Sequence, residues 1–357
     1  MSLVQKTAPG SGGAAPDERV ARVNPIRKLL VRPEMGAIGG AIALWIFFAI
    51  FAGNNGFLSL RGTANYLNVA ADIGIVAVAV ALLMIGGEFD LSVGSVTGAT
   101  GMIIAVLSTQ FGWNIWLAIV IAVLFALGVG FLNAYLVLRT NLPSFIVTLG
   151  SLYVLRGLTI GLTSLITGRT QVGGLDAAPG YSSAATIFAS NIITIGGVGF
   201  SIEIIWWLLI ALLGTWVLIR TKFGNWIFGV GGDIQAARNV GVPVRRVKII
   251  LFMLTALAAC LIAIIQALNL TSTDALRGTG NEFITIVAVV VGGTLLTGGY
   301  GSAIGSVFGA LVYGIVSVGV IFAGVDANWY QVFLGLMLVG AVFLNGYVRK
   351  YATEARK

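Results

Sequence analysis

The sequence predicts an all-α, polytopic membrane protein with about ten transmembrane helices, some of them broken. Three observations predict it. Of 357 residues, 58% are hydrophobic and only 10% charged, against about 45–50% and about 25% in soluble domains. Mean hydropathy is +0.99, and so few charges cannot cover a water-facing surface of this size. The apolar residues gather in runs of about 20, the length that crosses a hydrocarbon layer as a helix. Glycine supplies 49 residues, about twice the usual share, and in lipid it serves close helix approach and helix breaks.

Each element follows in order. Residues 1–35 are polar, lack a short apolar core with a cleavage site, and read as an uncleaved cytoplasmic tail. The transmembrane domain spans 36–347. Its candidate spans are 36–52, 66–85, 92–109, 114–138 and 144–162, the last starting after Pro143, which suits a helix start. A Gly-, Ser-, Thr- and Ala-rich segment, 163–201, separates these from a sixth span at 202–219. A basic stretch at 220–248 follows, then spans at 249–269, 283–297, 302–323 and 328–347. Residues 348–357 close the chain as a basic tail. The 92–109 and 283–297 spans are the weak ones, the first opening LSVGSVTGATG and the second running into GGTLLTGGYGSAIGS. Both belong to Gly-rich segments, 86–99 and 292–310, that begin with a Gly pair and lead into a Gly/Ser helix start. Interrupted segments in two halves are the trace of a transporter built from internal repeats.

Ten spans put both termini on one side, and the distribution of basic residues says which. With the termini cytoplasmic, the N-terminal tail, Arg139, the 220–248 stretch and the C-terminal tail hold 17 of the 21 Lys and Arg residues. The opposite loops hold Arg61, Arg169 and Arg277, and Arg156 falls inside a span. This bias explains the net charge of +8 through contact with anionic lipid headgroups, with no need of nucleic acid. The chain has no histidine and one cysteine, Cys260. That excludes a Ser-His-Asp triad, a His metal site, a CxxC metal site and an internal disulfide. No GxxxxGK[ST] phosphate loop occurs. The sequence implies no cofactor, no bound metal and no catalytic residue.

Two stretches are functional candidates. In GGEFDLSVGS (86–95), Glu88 and Asp90 stand between two apolar runs with almost no loop. An ionised carboxylate is costly in hydrocarbon, so both must face water, protein or the interface. One reading is a tight charged turn in which Asp90 or Ser92 caps the next helix; the other is a polar wedge beside a translocation pathway. In 220–248, DIQAARNVGV reads as a short helix with Asp233 as N-cap and Gly241 followed by Pro243 as its stop. A helix so short needs something to pack against, either its own bundle or membrane, or a cytoplasmic partner. Among other polar residues, Arg156 suits a structural pairing, and Asp72 a local cap or pair. Asn133, Gln266 and Asn269 suit a hydroxylated solute or bonds across helices. Cys260 reads as packing, and Trp206, Trp207 and Trp226 as an interfacial belt.

Four stretches carry a resemblance: GGEFDLSVGS (86–95), PSFIVTLGSLYVLRGL (143–158), FGVGGDIQAARNVGVPV (228–244) and GTGNEFITIVAVVVGGTLLTGGYGSAIGSVFGALV (278–312). In this order they resemble the permease subunits of ATP-binding-cassette (ABC) sugar importers, the ribose/xylose/arabinose/galactose branch, over roughly 60–347. The branch commonly reads GGIDLSVGS where this chain has GGEFDLSVGS, with one more residue and a second carboxylate. The resemblance implies the ABC importer permease fold and a bacterial inner-membrane subunit without its own ATPase site, importing a monosaccharide or related polyol. It implies a separate ATPase, a periplasmic sugar-binding protein and a second permease chain in a homo- or heterodimer. It makes Gly232, Asp233, Ala236, Ala237, Arg238 and Gly241 the loop that couples to the ATPase. Glu88, Asp90, Ser92, Asn133 and Asn269 become candidates for the pathway or for structural polar contacts. Rival readings are an ion-coupled secondary transporter using Glu88 or Asp90 as a relay, an importer of the same family with a non-sugar solute, and a membrane-embedded enzyme, against which the missing histidines weigh.

Overall fold

The computed structural model describes residues 33–326 and, beyond them, 329, 331–333, 335, 336, 339 and 340. Residues 1–32 of the N-terminal tail, most of the 328–347 span and the C-terminal tail lie outside the described residues. The helices, in chain order, are α1 (Pro33–Ala52), α2 (Leu60–Ile85), α3 (Val93–Thr109), α4 (Ile115–Thr140), α5 (Ser144–Thr167), α6 (Tyr181–Phe188), α7 (Glu203–Arg220), α8 (Lys222–Gly232), α9 (Ile234–Asn239), α10 (Val244–Leu270), α11 (Asn281–Val291) and α12 (Ala303–Phe322). Among the described residues, α1, α2, α4, α5, α7, α10 and α12 are long and apolar enough to cross a membrane, with α3 and α11 as shorter apolar helices. The protein is a polytopic α-helical membrane bundle.

Helix starts follow local capping chemistry. Ser59 accepts the Gly62 N–H at 3.0 Å ahead of α2, and Asn114 accepts the Trp116 N–H at 3.0 Å ahead of α4. Pro143 stands directly before α5, as its fixed φ favours. The centre of the bundle is α2, in which every residue from Ile73 to Ile85 is buried. Its AVAVALLMI run is apolar on all sides, the pattern of a helix surrounded by others, and α7, α10, α11 and α12 pack around it. Peripheral helices bury one stripe only: α1 sets Ala37, Ala41, Phe48 and Ala52 inward and leaves Ile42, Ile50 and Phe51 exposed.

Two expectations are corrected, and one segment carries elements that the sequence reading did not assign. The 163–201 segment is folded, with strand β1 (Gln171–Gly173), a single 3-10 turn, α6 and the hairpin β2 (Asn191–Ile195)–β3 (Val198–Ser201). β1 pairs antiparallel with β4 (Ser272–Asp274), and the hairpin turns through Gly196 and Gly197, both at positive φ, as such turns require. The 283–297 span is helical only to Val291, because the Gly pair 292–293 ends it. The 220–248 stretch is not a loop: α8 and α9 fill its first two-thirds, and α10 begins at Val244, so Arg245, Arg246 and Lys248 ride on a helix.

Candidate functional site

The short helix α9 is a built element. Asp233 caps it by accepting the N–H groups of Gln235 at 2.8 Å and Ala236 at 3.0 Å. It ends when Gly241, at φ +82°, lets the Val242 N–H reach the Ala237 carbonyl and its own N–H reach that of Arg238, both at 3.0 Å. This paired closure needs a left-handed residue and so favours glycine. Ala237, 3% exposed, and the half-buried Ile234 turn inward against a cluster that includes Ile227, Val230, Val244, Val247 and Leu251. Gly232, Asp233, Gln235, Ala236, Arg238, Asn239, Val240 and Gly241 are exposed. Val240 is 79% exposed, an apolar tip beside Arg238. A shallow hollow of about 420 Å³ next to it is lined by Arg238, Pro243, Val244, Arg245 and Arg246. Loss of the cap in Asp233→Ala should cost about 1 kcal/mol of helix stability, so hydrogen exchange at Gln235 and Ala236 should quicken roughly fivefold.

Behind α9, three helix breaks touch through their main chain. The Gly299 N–H donates to the Ile85 carbonyl at 2.8 Å. A Cβ on Gly231 would collide with that same carbonyl oxygen and meet the Gly299 nitrogen at 2.7 Å. A Cβ on Gly298 would stand 2.7 Å from the Gly87 Cα, and one on Gly299 would stand 2.8 Å from the Gly232 Cα. The end of α2, the end of α8 and the α11–α12 connection are therefore in backbone contact, directly beside α9. The two Gly pairs close their helices alike. The N–H groups of Gly87 and Glu88 reach the carbonyls of Met84 and Leu83, and those of Gly293 and Thr294 reach Val290 and Val289. Gly87 and Gly293 both take positive φ. The likeness of segments 86–99 and 292–310 is thus structural, and the two segments meet.

One layer deeper lies a buried polar network. Glu88 pairs with Lys248, both buried. Asp90, 1% exposed, accepts from the Ser92 N–H at 2.9 Å, the Ser92 hydroxyl at 2.6 Å and the Thr255 hydroxyl at 2.6 Å. The Asn133 amide donates to Ser92 Oγ at 2.9 Å and its oxygen accepts from Ser151. The N–H groups of Phe89 and Leu91 donate to the hydroxyls of Ser144 and Thr148 at 2.9 and 3.1 Å. The network ties the 86–92 break to α4, α5 and α10. It meets the rule that a buried polar group must find partners.

Of the sequence candidates, Glu88, Asp90, Ser92 and Asn133 converge here, while Asn269 lies apart, exposed near the far end of α10. Ser92 makes no side-chain cap bond; Asp90 takes its N–H instead. The charged-turn reading of Glu88 and Asp90 at the membrane surface is corrected, since both are enclosed by protein. Arg156 does pair, with Glu282 at 3.3 Å. Asp72 pairs across helices rather than locally, accepting from Gln266 at 2.9 Å. Trp207 is 3% exposed and packs on Gly74 rather than in an interfacial belt, and Cys260 is buried packing. Sequence reasoning placed Lys248 among the headgroup charges and passed over Glu203 and Glu282, both buried. A signal for Lys248 existed: Val244, Val247 and Leu251 mark the inner face of α10, and a helical period puts residue 248 on it.

Comparison with known proteins places these features. The family model for the permease component of the branched-chain amino acid transport system matches residues 62–342. The chain is 33% identical to the probable ABC transporter permease protein YphD of Escherichia coli K12 over 334 residues, covering 92% of this chain and 95% of that protein. It is 29% identical to the xylose transport system permease protein XylH of E. coli K12, covering 88% and 91%. It is 30% identical to the ribose import permease protein RbsC of E. coli K12, covering 85% and 92%. No solved structure matches the chain.

Proposed function

The chain belongs to the ABC transporter permeases matched by the branched-chain amino acid transport permease model, and from that premise we propose that it is the translocating subunit of an importer for a neutral monosaccharide or related polyol. A separate ATPase supplies the energy. The single observation that carries this reading is the exposed, doubly capped α9, joined at the backbone to two helix breaks. Gly232, Asp233, Ala236, Ala237, Arg238 and Gly241 form the element on which the ATPase docks. Val240 enters an apolar cleft, and Arg238, with Arg245 and Arg246 at its side, meets an acidic rim. Movement of the docked helix reaches α2 and the α11–α12 connection through the glycine contacts. A second copy or a related permease completes the path across a bacterial inner membrane, with the α9 end and both termini cytoplasmic. A periplasmic binding protein delivers cargo onto α6 and the β2–β3 hairpin.

The names of the xylose and ribose relatives favour sugar over amino acid as cargo. The scarcity of charge in the spans favours a neutral solute, which needs hydroxyl and amide partners rather than a fixed opposite charge. An ion relay through Glu88 or Asp90 is disfavoured because Lys248 neutralises the first and three donors hold the second.

The test is Arg238→Glu in the complete transporter, reconstituted with its ATPase and binding protein. Uptake of D-xylose or D-ribose should fall at least about tenfold and the ATPase should no longer co-purify, as expected when a charge at an interface is reversed. A reversed charge on the ATPase rim should restore both. Undiminished uptake would refute the docking role of α9. Uptake of leucine in place of either sugar would overturn the cargo.

A further inference from the structure

A polar ladder runs down α2 from the end remote from α9. Arg61, Asn65, Asn68 and Asp72 are spaced by four, three and four residues, which at 3.6 residues per turn keeps them within an arc of about 60°. Arg61 and Asn65 are exposed and Asn68 and Asp72 half-buried; below them the helix is wholly buried. At the foot, Gln266 donates to Asp72 at 2.9 Å. The Glu203 carboxyl group, 4% exposed, faces that of Asp72. Trp207, one turn along α7, packs its indole nitrogen on Gly74, about 160° round α2 from Asp72.

Three buried polar atoms of this cluster have no hydrogen-bond partner: Asn68 Oδ1, Gln266 Oε1 and Glu203 Oε1. That contrasts with the network around Asp90, where both carboxylate oxygens are satisfied. Buried polar atoms without partners are costly, and a group of them at the end of an accessible polar face marks a place where something else supplies the bonds. The foot lies about 20 Å along α2 from the junction at Ile85, near the depth where transporters hold their solutes.

We propose that Asn68, Asp72, Glu203 and Gln266 form a recognition site for the hydroxyl groups of a neutral, monosaccharide-sized solute. The inference deepens the transport reading above and rests on it. The chemistry is one of acceptors in excess: two carboxyl groups and two amide oxygens accept hydrogen bonds from hydroxyls, and the Asn68 amide N–H groups give bonds back. An anion would meet the two acidic groups and be repelled. Asn269, one turn beyond Gln266 on α10 and exposed, extends the approach.

Asn68→Leu tests this, since it removes an oxygen that has no partner in the protein. In the reconstituted complete transporter, uptake of D-ribose and 2-deoxy-D-ribose is compared. The variant should lose at least about tenfold in kcat/KM for D-ribose, and its preference for the full sugar should narrow, as expected when a group built to bind a hydroxyl is removed. Stimulation of the ATPase by the loaded binding protein should stay within about twofold, and the Tm of the detergent-solubilised complex should hold or rise, because an unsatisfied group has gone. A lower Tm with equal losses for both sugars would make the site structural and overturn the proposal. So would unchanged uptake, or a new dependence on sodium. If the unsubstituted transporter carries neither sugar, the monosaccharide reading itself falls and the site falls with it.

Discussion

Gly231→Val should stop transport by the complete transporter while the proposed ATPase subunit goes on hydrolysing ATP. The argument is steric. Any Cβ on Gly231 enters the space of the Ile85 carbonyl oxygen and the Gly299 nitrogen, which already share a hydrogen bond. These are main-chain atoms at helix ends, and they cannot turn aside as a flexible side chain would. The junction must open, and α9 then moves without dragging α2 or the α11–α12 connection. Forcing atoms into a close-packed site costs about 1–3 kcal/mol or more, all of it here falling on the link between motor and path. Uptake in proteoliposomes should drop about 100-fold, with ATP hydrolysis kept but no longer coupled to flux. Gly232→Ala is the control, since a Cβ there meets nothing within 4 Å and its φ is not in the left-handed range. It should transport normally. Wild-type uptake by the Gly231 variant would show that force does not travel through the glycine contacts.

Lys248→Met should nearly eliminate folded protein. Lys248 and Glu88 are both buried and paired. Removing the cation leaves a carboxylate uncompensated inside the bundle, which costs about 3–5 kcal/mol, comparable with the whole stability of many domains. Adding Glu88→Gln to the same chain removes the orphaned charge, and buried pairs replaced together are often neutral or stabilising. The double variant should recover most of the monodisperse protein seen on size-exclusion chromatography in mild detergent. Equal yields from the single variant and the wild type would mean that the pair is not enclosed.

The spans, the cap at Asp233, the stop at Gly241 and the special character of the two Gly pairs were legible in the sequence because each depends on residues a few positions apart. Apolar run length, capping and left-handed glycine are local physics. What was not legible is set by neighbours far along the chain. Nothing near Glu88 says that Lys248 will neutralise it, and nothing near Asp72 says that Gln266 will cross the bundle to bond it. The counting of basic residues treated Lys248 as one more headgroup contact, although the period of α10 points it inward. The hairpin at 191–201 did leave a local signal that the reading passed over, since the β-branched run NIITI and the run VGFS flank the pair Gly196–Gly197. The meeting of Ile85, Gly231 and Gly299 is wholly tertiary; the sequence displays the glycines but not that they share one point.

That shared point has a consequence for how such a protein can change. A contact made by side chains can drift, since a loss on one surface is answered by a gain on the facing one. A contact made of bare main chain leaves no such room, because no replacement elsewhere makes space for an added atom. Tolerated change is therefore confined to positions away from Ile85, Gly231 and Gly299, such as the other half of α2, where side chains can be exchanged without disturbing the junction.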